Sequence, residues 1–214
     1  MNKKYSYIGI SFVILLFGIY VVPKVVKKFQ NSDLVTFNKV TDFEFTNQDN
    51  KTITNTYFEG KVHVVEFFFT TCPSICLIMN RKMVDIQNEF YGNQEFAIAS
   101  ISITPQIDTP EVFKQYAKDH NITSRNWQML TGKSQDYVYA LSNKGFKLYV
   151  GKSDGDHGGF EHSGLFALVD KEGNIRSRKD KYGNPILYYR ALEENGFPDQ
   201  IKELKEDIKL LLNE

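Results

Sequence analysis

The 214-residue chain carries 26 Lys and Arg against 26 Asp and Glu and is 14% aromatic, with 17 Phe and 12 Tyr. That aromatic content excludes a disordered chain, which requires low hydrophobicity, and the length suits one domain with a short appendage. The zero net charge hides an asymmetry: residues 1–30 hold Lys3, Lys4, Lys24, Lys27 and Lys28 and no acid, leaving 21 basic and 26 acidic side chains in residues 31–214, a net charge of −5. A mildly acidic body lacks the basic face that phosphate backbones require, which argues against nucleic acid as a partner.

Tyr5 to Val22 (YSYIGISFVILLFGIYVV) runs 18 residues without a charge. As a helix it would be roughly 27 Å long, about the thickness of a bilayer's hydrocarbon core. Tyr5, Tyr7 and Tyr20 suit the interface, and lysines bracket both ends. No small-x-small cleavage site and no lipid-bearing cysteine follow the run, so residues 1–30 are expected to be a retained transmembrane anchor with its basic flank. Lysines on both sides leave orientation undecided by charge. The usual behaviour of a short-tailed anchor then places the domain on the exported side, periplasmic or extracytoplasmic. Residues 31–40 read as a linker and residues 41–214 as the folded domain.

Within that domain DFEFTNQDNKTIT, from Asp42, alternates around a polar turn and predicts a hairpin. Lys61–Phe69 (KVHVVEFFF) is β-branched, aromatic and nearly continuous, the mark of a buried central strand. Past Cys76 the period changes: Cys76, Met79, Met83, Ile86 and Phe90 share one helical face, with Asn80, Arg81, Asp85 and Glu89 turned away from it. Phe96–Ile103 predicts another strand, and Asp108-Thr109-Pro110-Glu111 opens a helix with a capping side chain and a first-turn proline. A strand at Trp127–Leu130, a helix at Ser134–Asn143 and a strand at Phe146–Val150 follow. Leu165–Val169 and Ile175–Arg178 form a hairpin, and Asp199–Leu212 a terminal amphipathic helix. The order implies an α/β domain with a mixed sheet.

Cys72 and Cys76 are the chain's two cysteines, four positions apart where a strand meets a helix. That spacing puts Cβ atoms ~5–6 Å apart on one helical face. The thiols could then share one metal ion or, after a modest shift, close a disulfide. A helix N-terminus favours thiolate, so at least one lowered thiol pKa is expected. A bridge this short would constrain the unfolded chain little, which favours a working pair over a stabilising one. His157 and His162 lie in a polar, glycine-rich loop entering a strand, where function concentrates; His63, inside a strand, and His120, past a helix end, read as structural or solvated. Glu66, in the middle of an apolar strand, must be paired or protonated if buried, and otherwise faces solvent or a lysine.

Together, GK–VVEFFFTTCPSIC–IMNRKM, SISITPQIDTPEVFKQYAKDHNI, NWQMLTG and EHSGLFALVDKEGNIR, spanning Gly60 to Arg176, resemble the Sco/SenC family. The resemblance implies a thioredoxin-like fold, a mixed sheet flanked by helices, on an N-terminal transmembrane helix. It also implies a copper-binding metallochaperone that helps assemble the copper centre of cytochrome c oxidase, with that enzyme's copper-site subunit as partner. Carried over by position, the copper ligands would be Cys72, Cys76 and His162, with Cys72 and Cys76 also the redox-active pair. Soft thiolates suit Cu(I) and imidazole suits Cu(I) or Cu(II); closed zinc sites normally want a fourth ligand. Three positions depart from the family pattern: Leu77 where proline follows the second cysteine, Glu161 where aspartate precedes the histidine, and Thr104 where aspartate is common. The competing expectation is a thiol–disulfide oxidoreductase acting on an exported or membrane partner, which needs both cysteines and not the histidine. A peroxide-reducing relative fits the second cysteine less well.

Overall fold

A run of apolar β-branched and aromatic residues makes the spine of the domain. In the computed structural model, which describes residues 3–30, 33–73, 75–152, 160–193 and 196–214, Val62–Phe68 forms strand β4 with every side chain buried. It pairs in parallel with β5 (Phe96–Ser102), Val62 opposite Phe96 through Phe68 opposite Ser102, and β5 pairs in parallel with β6 (Trp127–Thr131). Parallel neighbours need crossovers. Helix α3 (Ile75–Glu89) supplies the first and α4 (Pro110–Asp119) the second. On its other edge β4 meets β9 (Leu165–Val169) antiparallel, with Val65 opposite Ala167.

Outward from β9 lie β10 (Asn174–Ser177) and then β1 (Val35–Lys39), while β11 (Tyr189–Arg190) pairs with the start of β9. Beyond β6 the hairpin of β2 (Glu44–Asn47) and β3 (Thr52–Thr54) completes a nine-stranded mixed sheet. A four-residue helix, α2 (Asn55–Phe58), follows the hairpin. Val35–Lys39, expected as linker, is thus an edge strand of the sheet. Its side chains are mostly exposed and its ladder to β10 is backbone, so no hydrophobic alternation announced it.

Strand alternation assigns the two faces. Phe68 stacks on Phe113 of α4 with ring centres 6.0 Å apart, and α3 and the terminal helix α6 (Ile201–Leu212) pack beside each other through Lys205–Asp85 and Lys205–Glu89 ion pairs. Phe67 instead meets Phe146 edge-on at 5.5 Å. Phe146 ends a π-helix (Leu141–Phe146) that continues α5 (Gln135–Ala140). The expected strand at Phe146–Val150 is therefore not one. Leu148 and Val150 give their backbone bonds to Ser142 and Asn143 of the π-helix, and the strand that forms, β7, is Val150–Lys152, paired with β8 (Phe160–His162) in a separate hairpin. The expected capping at Asp108-Thr109 resolves to Thr109, whose Oγ1 accepts from Val112 N, with Pro110 first in the helix. Asn80, on the polar side by periodicity, is buried and donates to the carbonyl of His120, as buried Gln87 does to that of Asn121.

Helix α1 spans Lys3–Gln30, and the chain divides into a unit of Met1–Asp33 with Asn213–Glu214 and a unit of Leu34–Leu212. Among the described residues no helix is long and apolar enough to cross a membrane. Within α1 the described side chains are those of residues 9–22, a stretch of about 21 Å at 1.5 Å per residue. Consecutive apolar side chains in it, Phe12 through Phe17, are all exposed.

Candidate metal centre

Strand β4 ends at Phe68 and the chain turns through Thr70 and Thr71 into Cys72, whose N–H donates to Phe69 O at 3.3 Å. What fixes this turn is Asp108, fully buried in the loop between β5 and α4. Its carboxylate accepts from Thr70 Oγ1, from Thr70 N at 3.3–3.4 Å, from Ser102 Oγ at 2.5 Å and from Thr104 Oγ1 at 3.0 Å. A buried carboxylate is tolerable when so many donors replace water. Thr104 supplies one of them, and an aspartate at that position would set a second carboxylate against the first. Capping was all the sequence signalled for Asp108.

Cys72 and Cys76 are not joined by a disulfide and are buried, at 6% and 2% exposure. Their side chains share a hydrogen bond, which is the largest cause pushing the Cys76 thiol far above its ordinary range. Burial and the charges of Cys72 and Glu66 push the same way, and a backbone hydrogen bond at Phe69 opposes them. The helix-terminus field expected to lower a thiol pKa is therefore outweighed at Cys76 by an adjoining sulfur and the loss of water. Leu77 is partly exposed in the first turn of α3, where a backbone N–H has no intrahelical acceptor, so a proline there would add no lost contact.

Beneath the pair lies a polar seam. Glu66 is buried and accepts from Ser100 Oγ at 2.6 Å, and Ser100 Oγ in turn accepts from Trp127 Nε1 at 2.8 Å. This settles the Glu66 alternatives in favour of a buried, partnered carboxyl. Tyr116 of α4 is buried against Phe68 at the end of β4, with ring centres 5.8 Å apart. Its hydroxyl is held well above the ordinary range, mainly by burial and then by Glu66, Cys76, Cys72 and Asp108. His63 and His120 are structural as expected. His63 Nδ1 contacts Lys61 O at 3.2 Å under the Phe58 ring, and burial lowers it to about 4. His120 caps α4 and packs on Tyr116.

The backbone of His162 ends β8, in register with Val150; its side chain and Glu161's lie outside the described residues, as does His157 altogether. Topology still constrains it. Because β9 runs antiparallel to β4, its first residue, Leu165, lies at the end of the sheet where β4 gives way to the cysteine turn. His162 precedes Leu165 by three residues. Among the described residues no cluster of three or more His, Cys, Asp or Glu is placed to hold a metal ion. What the described site offers is two sulfurs sharing a hydrogen bond within the buried core, a donor set for a soft ion.

Residues 32–195 match the family model described as SCO1/SenC. An SCO1 protein homolog of Bacillus subtilis is 32% identical over 168 residues, 78% of this chain and 81% of that protein. A Rickettsia typhi SCO2-like protein is 30% identical over 61% of this chain and 64% of its own length. Among solved structures, BsSco, described as a member of the Sco family of cytochrome c oxidase assembly proteins with a disulfide switch, superposes with a TM-score of 0.69 at 28% identity, covering 85% of this chain and 96% of that one. Bradyrhizobium japonicum ScoI with copper bound shares the fold at a TM-score of 0.59 and 20% identity, over 82% of this chain and all of that one. With three quarters of its length under one family model and its mixed sheet matched by the thioredoxin-like Sco structures, the chain belongs to the SCO1/SenC family.

Proposed function

We propose that this chain is a membrane-anchored copper carrier that loads the copper centre of cytochrome c oxidase, holding its cargo through Cys72, Cys76 and His162. The observation that supports it most is the buried, hydrogen-bonded sulfur pair at the end of β4, with Leu165, three residues after His162, starting β9 at the same sheet end. Two thiolates satisfy a soft Cu(I) ion, and an added imidazole extends the set to Cu(II). Copper in place of the shared proton removes the cause that holds the Cys76 proton so firmly. Loading therefore releases protons and strengthens as pH rises, by up to about tenfold per pH unit for each proton displaced. Relatives solved with copper bound, from Bradyrhizobium japonicum and Arabidopsis thaliana, agree with this reading.

Copper titration of the reduced protein tests it, beside Cys72→Ser and His162→Ala. Roughly one tightly bound copper, lost or much weakened in both variants, is the expected result. Unchanged affinity in His162→Ala would remove that residue from the ligand set. The anchor rests on the 18-residue uncharged run and on the apolar side chains Phe12 to Phe17, which turn to every side of α1, a pattern suited to lipid. The protein should then stay with membranes after alkaline carbonate washing, its domain open to protease from the exported side.

One observation favours a second reading. The thiols already touch, so a disulfide needs little movement, and a thiol–disulfide oxidoreductase that reduces a partner's cysteines would use that closeness. Insulin reduction at the rate of a dedicated reductase, with His162→Ala as active as the parent, would select it.

A further inference from the structure

The hairpin of β7 and β8 is held to the rest of the domain by a side chain. Asn143 donates from Nδ2 to Val150 O at 3.1 Å and accepts from Val150 N at 3.3 Å. Both backbone groups of Val150 thus face Asn143, and in an antiparallel pair a residue's two groups point to one side. The Val150–His162 pair is accordingly the non-hydrogen-bonded one, and alternation gives the interstrand bonds to Gly151 and Glu161. β7 lies with β8 on one edge and the Asn143 amide, standing in for a further strand, on the other.

Asn143 itself is well anchored. It sits in the π-helix, whose neighbouring Ser142 binds Leu148 through Oγ to O at 2.5 Å and O to N at 3.0 Å. The same turn ends at Phe146, edge-on against Phe67 of β4, with its carbonyl accepting from Tyr188 OH. A π-turn is a wide, uncommon element, found mostly at functional sites. Here it sets Ser142 against Leu148 and Asn143 against Val150, the first residue of β7. A short path of contacts runs from β4, which leads into Cys72, through Phe146 and Asn143 to Val150, the register partner of His162.

We propose that Asn143 is a positioning residue for His162, acting through the two hydrogen bonds it closes on Val150. The proposal rests on the copper reading above, in which His162 is a ligand. Asn143 touches no metal; it holds the strand from which the ligand is presented, and residues that act on a site only through intervening contacts typically change its affinity about 2–30-fold.

The test uses the full chain, reduced, with copper as the probe. Asn143→Ala is compared with Asn143→Asp, which keeps the acceptor and loses the donor, with His162→Ala, and with Lys144→Ala as a neighbouring control. Copper affinity is read beside a metal-free measurement, amide hydrogen exchange over residues 150–152 and 160–162. Asn143→Ala should bind copper about 2–30-fold more weakly and exchange faster in both strands. Asn143→Asp should fall between it and the parent, and Lys144→Ala should match the parent. If His162→Ala weakens copper while Asn143→Ala changes neither affinity nor exchange, Asn143 does not position the ligand and the copper reading stands. If His162→Ala binds copper as the parent does, the ligand assignment fails and this proposal falls with it. Loss of exchange protection across the whole sheet in both Asn143 variants would make it a fold residue and overturn the proposal as well.

Discussion

Asp108, Glu66 and His63 are three buried ionisable side chains, each with a different consequence. Asp108 is the acceptor for hydroxyls from Thr70, Ser102 and Thr104. Asp108→Ala strands those donors at about 1–3 kcal/mol for each left unsatisfied. A loss of about 3 kcal/mol or more is expected in urea unfolding, and a cost below ~1 kcal/mol would show that the network is dispensable. Glu66 contributes to the raised proton affinity of Cys76. Glu66→Gln keeps an oxygen for Ser100 and removes the charge, so the pH at which the reduced protein is alkylated should move down; an upward move contradicts the assignment. His63 is lowered from 6.5 to about 4 by burial, so the unfolded chain binds its proton more tightly than the folded one. Its stability contribution is complete above about pH 6.5 and lost as pH falls towards 4, by roughly 3 kcal/mol at ~1.4 per unit. His63→Phe should flatten that stretch of the stability curve. Of the three, Glu66 was legible as a misplaced charge in an apolar run and His63 as a strand histidine. Asp108 was not, because a capping aspartate and a buried one look alike in sequence.

Elements were legible in proportion to how much apolar surface they bury. β4 and β5 are continuous buried runs, and α3 shows its Cys76, Met79, Met83 and Ile86 face plainly. β1 could not be read because an edge strand exposes most of its side chains. The expected strand at Phe146–Val150 failed because side chains of the π-helix, not a strand, take up its backbone groups. Packing between α3 and α6 is partly electrostatic: Lys205 Nζ lies 2.7 Å from Asp85 and 3.1 Å from Glu89, and Lys82 lies 2.8 Å from Asp199. These pairs are partly exposed. Lys205→Ala should cost about 1 kcal/mol at low salt and less near ~1 M, where the Debye length shrinks to ~3 Å. A salt-independent loss would point to the lysine's aliphatic stem rather than its charge.

At the scale of the whole molecule, the cysteines are neighbours in sequence and could be read directly. The histidine stands 90 positions later, and only the family resemblance named it, since no periodicity spans such a distance. The sheet order supplies the physical link: β9, made late, inserts beside β4, made early. That order has a consequence for biogenesis. A polypeptide made amino end first presents its sulfurs long before the segment that shares their end of the sheet has been made. During that interval it is a bare dithiol, open to oxidants and stray ions. Full grip on a cargo ion, as proposed, must wait until the last third of the chain has folded back.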